Sequence, residues 1–81
     1  GSILLYPNPS DGMINLLPQE DDLQLNVKEI RVTDVQGRHI LINSERETTG
    51  ILMDFRHVSP GLYLIQGQTN KGVFKKTVII K

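Results

Sequence analysis

The sequence predicts an all-β domain in which seven short strands form a two-sheet sandwich. Three observations carry that reading. Val, Ile, Thr, Tyr and Phe cluster in short runs, the composition that suits a pleated, half-buried surface. Turn residues interrupt those runs every eight to twelve positions or so, the rhythm of sandwiches and barrels. No window keeps an apolar stripe at helical spacing for three turns.

Strands are expected at residues 3–6, 13–17, 23–35, 38–43, 50–55, 61–66 and 73–80. Between the first two lies Pro7-Asn8-Pro9, where two prolines remove ladder donors and force extended or turn geometry. Ser10-Asp11-Gly12 then supplies a tight turn. The acidic segment 18–22 reads as the loosest loop. Within 23–35, Leu25 and Val27 have the opposite parity to Ile30 and Val32, so a bulge or bend is expected at Lys28-Glu29. Asp34-Val35-Gln36-Gly37-Arg38 reads as a hairpin closed by positive φ at Gly37. Ser59-Pro60-Gly61 fits a type II turn, and Asn70-Lys71-Gly72 a final hairpin turn. Leu62-Tyr63-Leu64-Ile65 is apolar at every position, which predicts cover on both faces. In the last run Phe74, Lys76, Val78 and Ile80 alternate with Val73, Lys75, Thr77 and Ile79. Seven such strands favour a sandwich of immunoglobulin-like outline, without that fold's Cys and Trp hallmarks.

Eighty-one residues make one small domain. Leu, Ile, Val and Phe supply 27 of them, enough for a packed core. Without Cys there are no disulfides, zinc-thiolate sites or thiol nucleophiles, so the core carries the stability. No apolar run approaches the roughly 18–20 residues that span a bilayer. The zero net charge conceals a gradient: residues 1–22 carry four acids and no base, residues 71–81 four lysines and no acid. Nucleic-acid binding wants a broad positive excess, which this balance excludes. Gly1-Ser2 reads as the scar of a removed expression tag, with the native chain continuing upstream of Ile3. Lys81 reads as a natural C-terminus.

Nothing in the residue pattern argues for catalysis. His39 and His57 stand 18 positions apart without a close second ligand, although Asp54 precedes His57 by three, and solvated or hydrogen-bonding histidines are expected. Ser10, Ser44 and Ser59 all read as turn residues, with no nucleophile-elbow glycines around them. Asp34 and Asp54 end strands, where Asx turns are expected rather than a carboxylate pair. Tyr6, Phe55, Tyr63 and Phe74 are spread over four strands, which points to core packing and away from a sugar platform. Lys75 and Lys76 carry two readings: protection of an edge strand, or a basic recognition patch.

Taken in order, the turn blocks form a set. Tyr6-Pro7-Asn8-Pro9 is followed by Gly12-Met13-Ile14-Asn15-Leu16, Asp34-Val35-Gln36-Gly37-Arg38 and Ser59-Pro60-Gly61-Leu62-Tyr63. Gly72-Val73-Phe74-Lys75-Lys76-Thr77-Val78-Ile79-Ile80-Lys81 closes the chain. The set resembles the C-terminal sorting domain of type IX secretion cargo, type A, from about Leu4 to Lys81. The resemblance implies an immunoglobulin-like sandwich appended to exported enzymes and adhesins of Bacteroidota-type bacteria. It implies passage through the periplasm, recognition by the outer-membrane translocon, and delivery to the cell surface or medium. A sortase-like cysteine protease would cut upstream of Tyr6, making the domain a substrate and not an enzyme, with no cofactor, metal or nucleic acid.

Carried over by position, Gly61 and Tyr63 match the family's Gly-x-Tyr segment, with Pro60 in the preceding turn. Gly37 and Arg38 match its hairpin. Gly72, Lys75, Lys76, Val78, Ile79, Ile80 and Lys81 match the terminal segment on which recognition depends most. Pro7, Asn8 and Pro9 mark the start of the domain, and the acidic loop is not a family signature. A regular terminal edge strand would suit strand addition, with its lysines adding charge complementarity. The same unpaired edge makes dimerisation by strand exchange an expectation. The alternative from another class is a carbohydrate- or adhesion-binding sandwich.

Overall fold

The computed structural model describes residues 3–81. The reading of Gly1-Ser2 as a scar lies outside the described residues. Seven strands are formed: β1 (Ile3–Tyr6), β2 (Met13–Pro18), β3 (Arg31–Asp34), β4 (Asn43–Arg46), β5 (Ile51–Asp54), β6 (Gly61–Thr69) and β7 (Gly72–Ile80). They make two antiparallel sheets, ordered β1-β2-β5-β4 and β3-β6-β7. One core fills the space between them. Ile14, Leu16, Ile51, Met53 and Phe55 come from the four-stranded side, and Val32, Tyr63, Ile65, Val78 and Ile80 from the three-stranded side. The period-2 alternation makes this work: burial alternates along β2, β5, β6 and the end of β7. Phe55 and Tyr63 meet edge to face across the sandwich, ring centroids 5.8 Å apart.

Four expectations need correction. The long strand at 23–35 is broken by a 3-10 turn, Val27–Glu29, so only Arg31–Asp34 is strand. Asn26 caps the turn, its side chain accepting from the Lys28 N–H, and this local bond outcompetes a ladder. The turn does the parity reversal expected of a bulge, letting both Leu25 and Val32 face the core. Second, residues 38–43 are not a strand. Only His39 bridges back to Thr33, after which the chain leaves for the other sheet, where Asn43–Arg46 pairs β5. Ser44 therefore lies in β4, not in a turn.

Third, β6 is covered on one face only. Tyr63 and Ile65 are buried, whereas Leu62 is 44% exposed, because a three-stranded sheet with no layer beyond it leaves its outer face to solvent. Fourth, Ser59-Pro60-Gly61 is not a type II turn. Gly61 has φ of +155°, far from the +80° or so such a turn requires. The hydrogen-bonded turn comes earlier, with the Val58 N–H donating to the Phe55 carbonyl. Other turns match expectation. Gly37 takes φ of +83° while Asp34 Oδ1 accepts from the Gln36 and Arg38 N–H groups. The β6–β7 hairpin turns through Asn70-Lys71, braced by Thr69 Oγ1, which accepts from the Lys71 N–H.

Candidate functional site

The terminal strand β7 pairs along its whole length with β6 and is the outer strand of its sheet. In an antiparallel ladder each residue turns its N–H and C=O to the same side. Residues 74, 76, 78 and 80 therefore face β6, and 73, 75, 77, 79 and 81 point outward. The far end of that outer edge is occupied. After β1 the chain crosses from the first sheet to the second at Pro7-Asn8-Pro9, with cis peptides before both prolines. Ser10 then lies parallel to Ile80, its N–H donating to the Ile79 carbonyl and its carbonyl accepting from the Lys81 N–H, at 2.9 and 2.8 Å.

Asn8 extends this clamp through its side chain. Its Oδ1 accepts from the Ile79 N–H at 3.0 Å, and its Nδ2 donates to the Thr77 carbonyl at 3.2 Å. The physical reason is in the local sequence. Pro7 and Pro9 have no N–H, so the side-chain amide of Asn8, which here donates one bond and accepts one, stands in for a backbone peptide. Ser10 is buried, and its hydroxyl accepts from the Gly12 N–H and donates to the Met13 carbonyl, locking the turn into β2.

The near end of β7 is held differently. Lys71, at the hairpin tip, pairs with Asp22 at 2.9 Å and Glu20 at 3.2 Å. Asn70 Nδ2 donates to the Asp22 carbonyl, and Asn70 Oδ1 accepts from the Gln24 N–H. The acidic segment expected to be loose is thus tied to the hairpin. Hydrogen bonding from Lys71 holds the Asp22 carboxyl below its ordinary range, and the same bonds raise Lys71. The opposite charges at the two ends of the chain meet in space, for Lys81 also lies 3.7 Å from Asp11.

The remaining expected site residues divide. Gly61 is in register with Ile80 and Tyr63 with Val78, so these join Asn8, Ile79 and Lys81 around the clamped end. Tyr63 Oη donates to the Ser59 carbonyl, fixing the entry to β6 that follows Pro60. Gly72, Lys75 and Lys76 lie toward the other end of β7. Lys75 and Lys76 do not form one patch: Lys75 is exposed on the outer face, while Lys76 has core-side parity and is half-buried. Gly37 and Arg38 lie on the loop after β3, across β6 from β7, where Arg38 pairs with Asp34 at 2.8 Å.

Asp34 and Asp54 are not a carboxylate pair but two separate Asx turns. Asp54 accepts from the Arg56 side chain and backbone N–H, which lowers its pKa to about 2. His57 Nε2 donates to the Leu41 carbonyl at 2.9 Å, and His39 is exposed. Among the aromatics Phe55 and Tyr63 are buried, Phe74 is half-buried and Tyr6 is exposed. Sequence reading missed the side-chain role of Asn8 and the burial of Ser10. The available signal was an amide side chain between two residues without N–H.

No curated protein and no solved structure matches the chain. Residues 4–81 match the family described as the secretion system C-terminal sorting domain. Three of the blocks singled out in the sequence meet at the clamp, where the Pro-Asn-Pro segment is hydrogen-bonded to the end of β7 and Gly61 and Tyr63 pair with Ile80 and Val78. With the match spanning nearly the whole chain, the protein belongs to the type IX secretion C-terminal sorting domains, which direct export across the outer membrane toward the cell surface or medium.

Proposed function

We propose that the outer-membrane translocon reads this domain through β7 and that a sortase-like cysteine protease then removes it by cutting upstream of Tyr6. The observation that carries the reading is the family match joined to a terminal strand on the rim of its sheet. In this reading the matched residues act in two ways. Tyr63, Val78 and Ile80 are buried and shape the strand by packing; Lys75, Ile79 and Lys81 are exposed groups for a partner to meet, and half-buried Lys76 adds its charge from the opposite face of the strand. Gly61 and Gly72 open the two strands of the hairpin, and Pro60, Gly37 and Arg38 set turns around it. The domain is a passive signal, in the periplasm in transit, then at the surface or released. Residues 3–81 act as one unit.

The fold supports an immunoglobulin-like assignment. The strand orders β1-β2-β5-β4 and β3-β6-β7 follow the four-plus-three order of constant-type domains. The Tyr63 hydroxyl bond to Ser59, four residues upstream at the start of β6, follows that fold's tyrosine corner. Dimerisation by exchange of β7 remains part of the proposal, with light scattering as its check.

The test is export of a reporter. A signal peptide, a fluorescent protein and a linker are fused ahead of residues 3–81 in a host with an active type IX system. A matched fusion lacks the domain. The expected result is fluorescence at the surface or in the medium for the first and periplasmic retention for the second. Retention of both, with the domain folded by circular dichroism, contradicts the reading.

A further inference from the structure

The clamp divides the β7 edge into a sealed half and an open half. Ile79 and Lys81 have their outward groups bonded to Asn8 and Ser10, and the Thr77 carbonyl is taken by Asn8. The outward N–H and C=O of Val73 and Lys75, and the Thr77 N–H, meet no group from another element among the described residues. Residues 73–77 span about 16 Å, the length of an ordinary short strand.

Charge is distributed with the same bias. Of the nine basic residues, Arg38, Arg56, Lys71 and Lys81 each have an acidic partner, and Arg46 donates to the Leu25 carbonyl. Those without such a partner among the described residues are Lys28, Arg31, Lys75 and Lys76, all on the three-stranded sheet or the turn leading into it. Arg31, Gln66 and Lys75 form one cross-strand row on the outer face, Arg31 opposite Gln66 and Gln66 opposite Lys75. A cleft of about 340 Å³ runs beside that row, lined by Lys28, Arg31, Gln66, Gln68 and Val73, with Glu29 the one acid in its wall.

We propose that residues 73–77 of β7 are a docking edge for an extended acidic segment of a partner protein, which pairs with the free backbone and sets a carboxylate against Lys75, with Arg31 two strands further in adding to the positive field of the row. Backbone pairing supplies register, and the unpaired cations select the acidic sequence. Asn8 ends the site, because its side chain fills the next position along the edge. The inference rests on the reading of β7 as the recognised strand and narrows it to the half nearest the hairpin tip.

The experiment uses the reporter fusion with two changes made separately. Val73→Pro deletes an outward N–H without touching the ladder to β6, a position where edge strands accept proline. The pair Lys75→Glu and Arg31→Glu reverses the row. Each is expected to lower export about five- to tenfold, the worth of one lost hydrogen bond and its register. The thermal midpoint should stay within about 3 °C, less than 1 kcal/mol of stability, and Lys75→Arg should export normally. Should Val73→Pro lower the midpoint, Thr77→Pro reads the same edge. Loss with charge reversal but not with proline overturns strand addition and points to an anionic surface such as a lipid headgroup. Loss with proline but not with charge reversal overturns the acidic partner. Normal export of both overturns the site, whereas failure of the unaltered fusion to export overturns the sorting reading beneath it.

Discussion

Asn8 is the residue whose side chain does most to place the terminal strand. Flanked by prolines, it offers the amide pair that its neighbours lack, and that pair reaches Thr77 and Ile79, about seventy residues along the chain. Asn8→Ala removes both bonds and is expected to cost about 1–2 kcal/mol, read by urea unfolding. Asn8→Asp keeps the acceptor for the Ile79 N–H but sets a carboxylate against the Thr77 carbonyl, so it recovers only part of the loss. An unchanged midpoint for Asn8→Ala would remove the clamp from the account. The sequence marked this block as a turn because proline chemistry is local. It could not reveal the long-range role of the amide, whose partners are chosen by the fold.

At the scale of elements, strand existence was easier to read than strand limits. The strands β1, β2, β5, β6 and β7 follow from alternation and β-branched content, since each buries one face against a common core. Residues 23–35 misled because Asn26 closes a local 3-10 turn, and residues 38–43 because the apolar Ile40 and Ile42 pack on the core without a ladder. Ion pairs then tie elements that the sequence held apart, and they predict the pH response. Asp22 and Asp54 are depressed in the folded state, chiefly by hydrogen bonds from Lys71 and Arg56, Asp54 from an ordinary 3.8 to about 2. A depressed carboxyl stabilises above its unfolded pKa, and the contribution is lost as pH falls through the folded value. Lys71 is raised above 10.5 by its bonds to Asp22 and Glu20, so its contribution is present below that value and lost as pH rises through the folded one. The thermal midpoint should therefore be flat between about pH 5 and 9, falling between about pH 4 and 2 and again above about pH 10.5. Scanning calorimetry across that range checks it, and a flat acid limb would contradict these pairs.

For the whole molecule, charge segregation along the chain becomes charge pairing in space. The acidic N-terminal stretch meets Lys71 and Lys81, leaving the cations that lack an acidic partner among the described residues on the three-stranded sheet and the turn leading into it. The ordered turn blocks made the family legible in the sequence itself. The geometry of the site was less so, because adjacent lysines in a strand face opposite ways and the edge is defined by what covers it. The central claim is that the Pro-Asn-Pro-Ser segment seals one half of the β7 edge and leaves the other open. Amide hydrogen exchange of the free domain tests this directly, residue by residue. Residues 74, 76, 78 and 80 should exchange slowly because they face β6, and Ile79 and Lys81 slowly because of the clamp. Val73, Lys75 and Thr77 should exchange fast. If Ile79 and Lys81 exchange as fast as Val73 and Lys75, the edge is not divided and the account is contradicted.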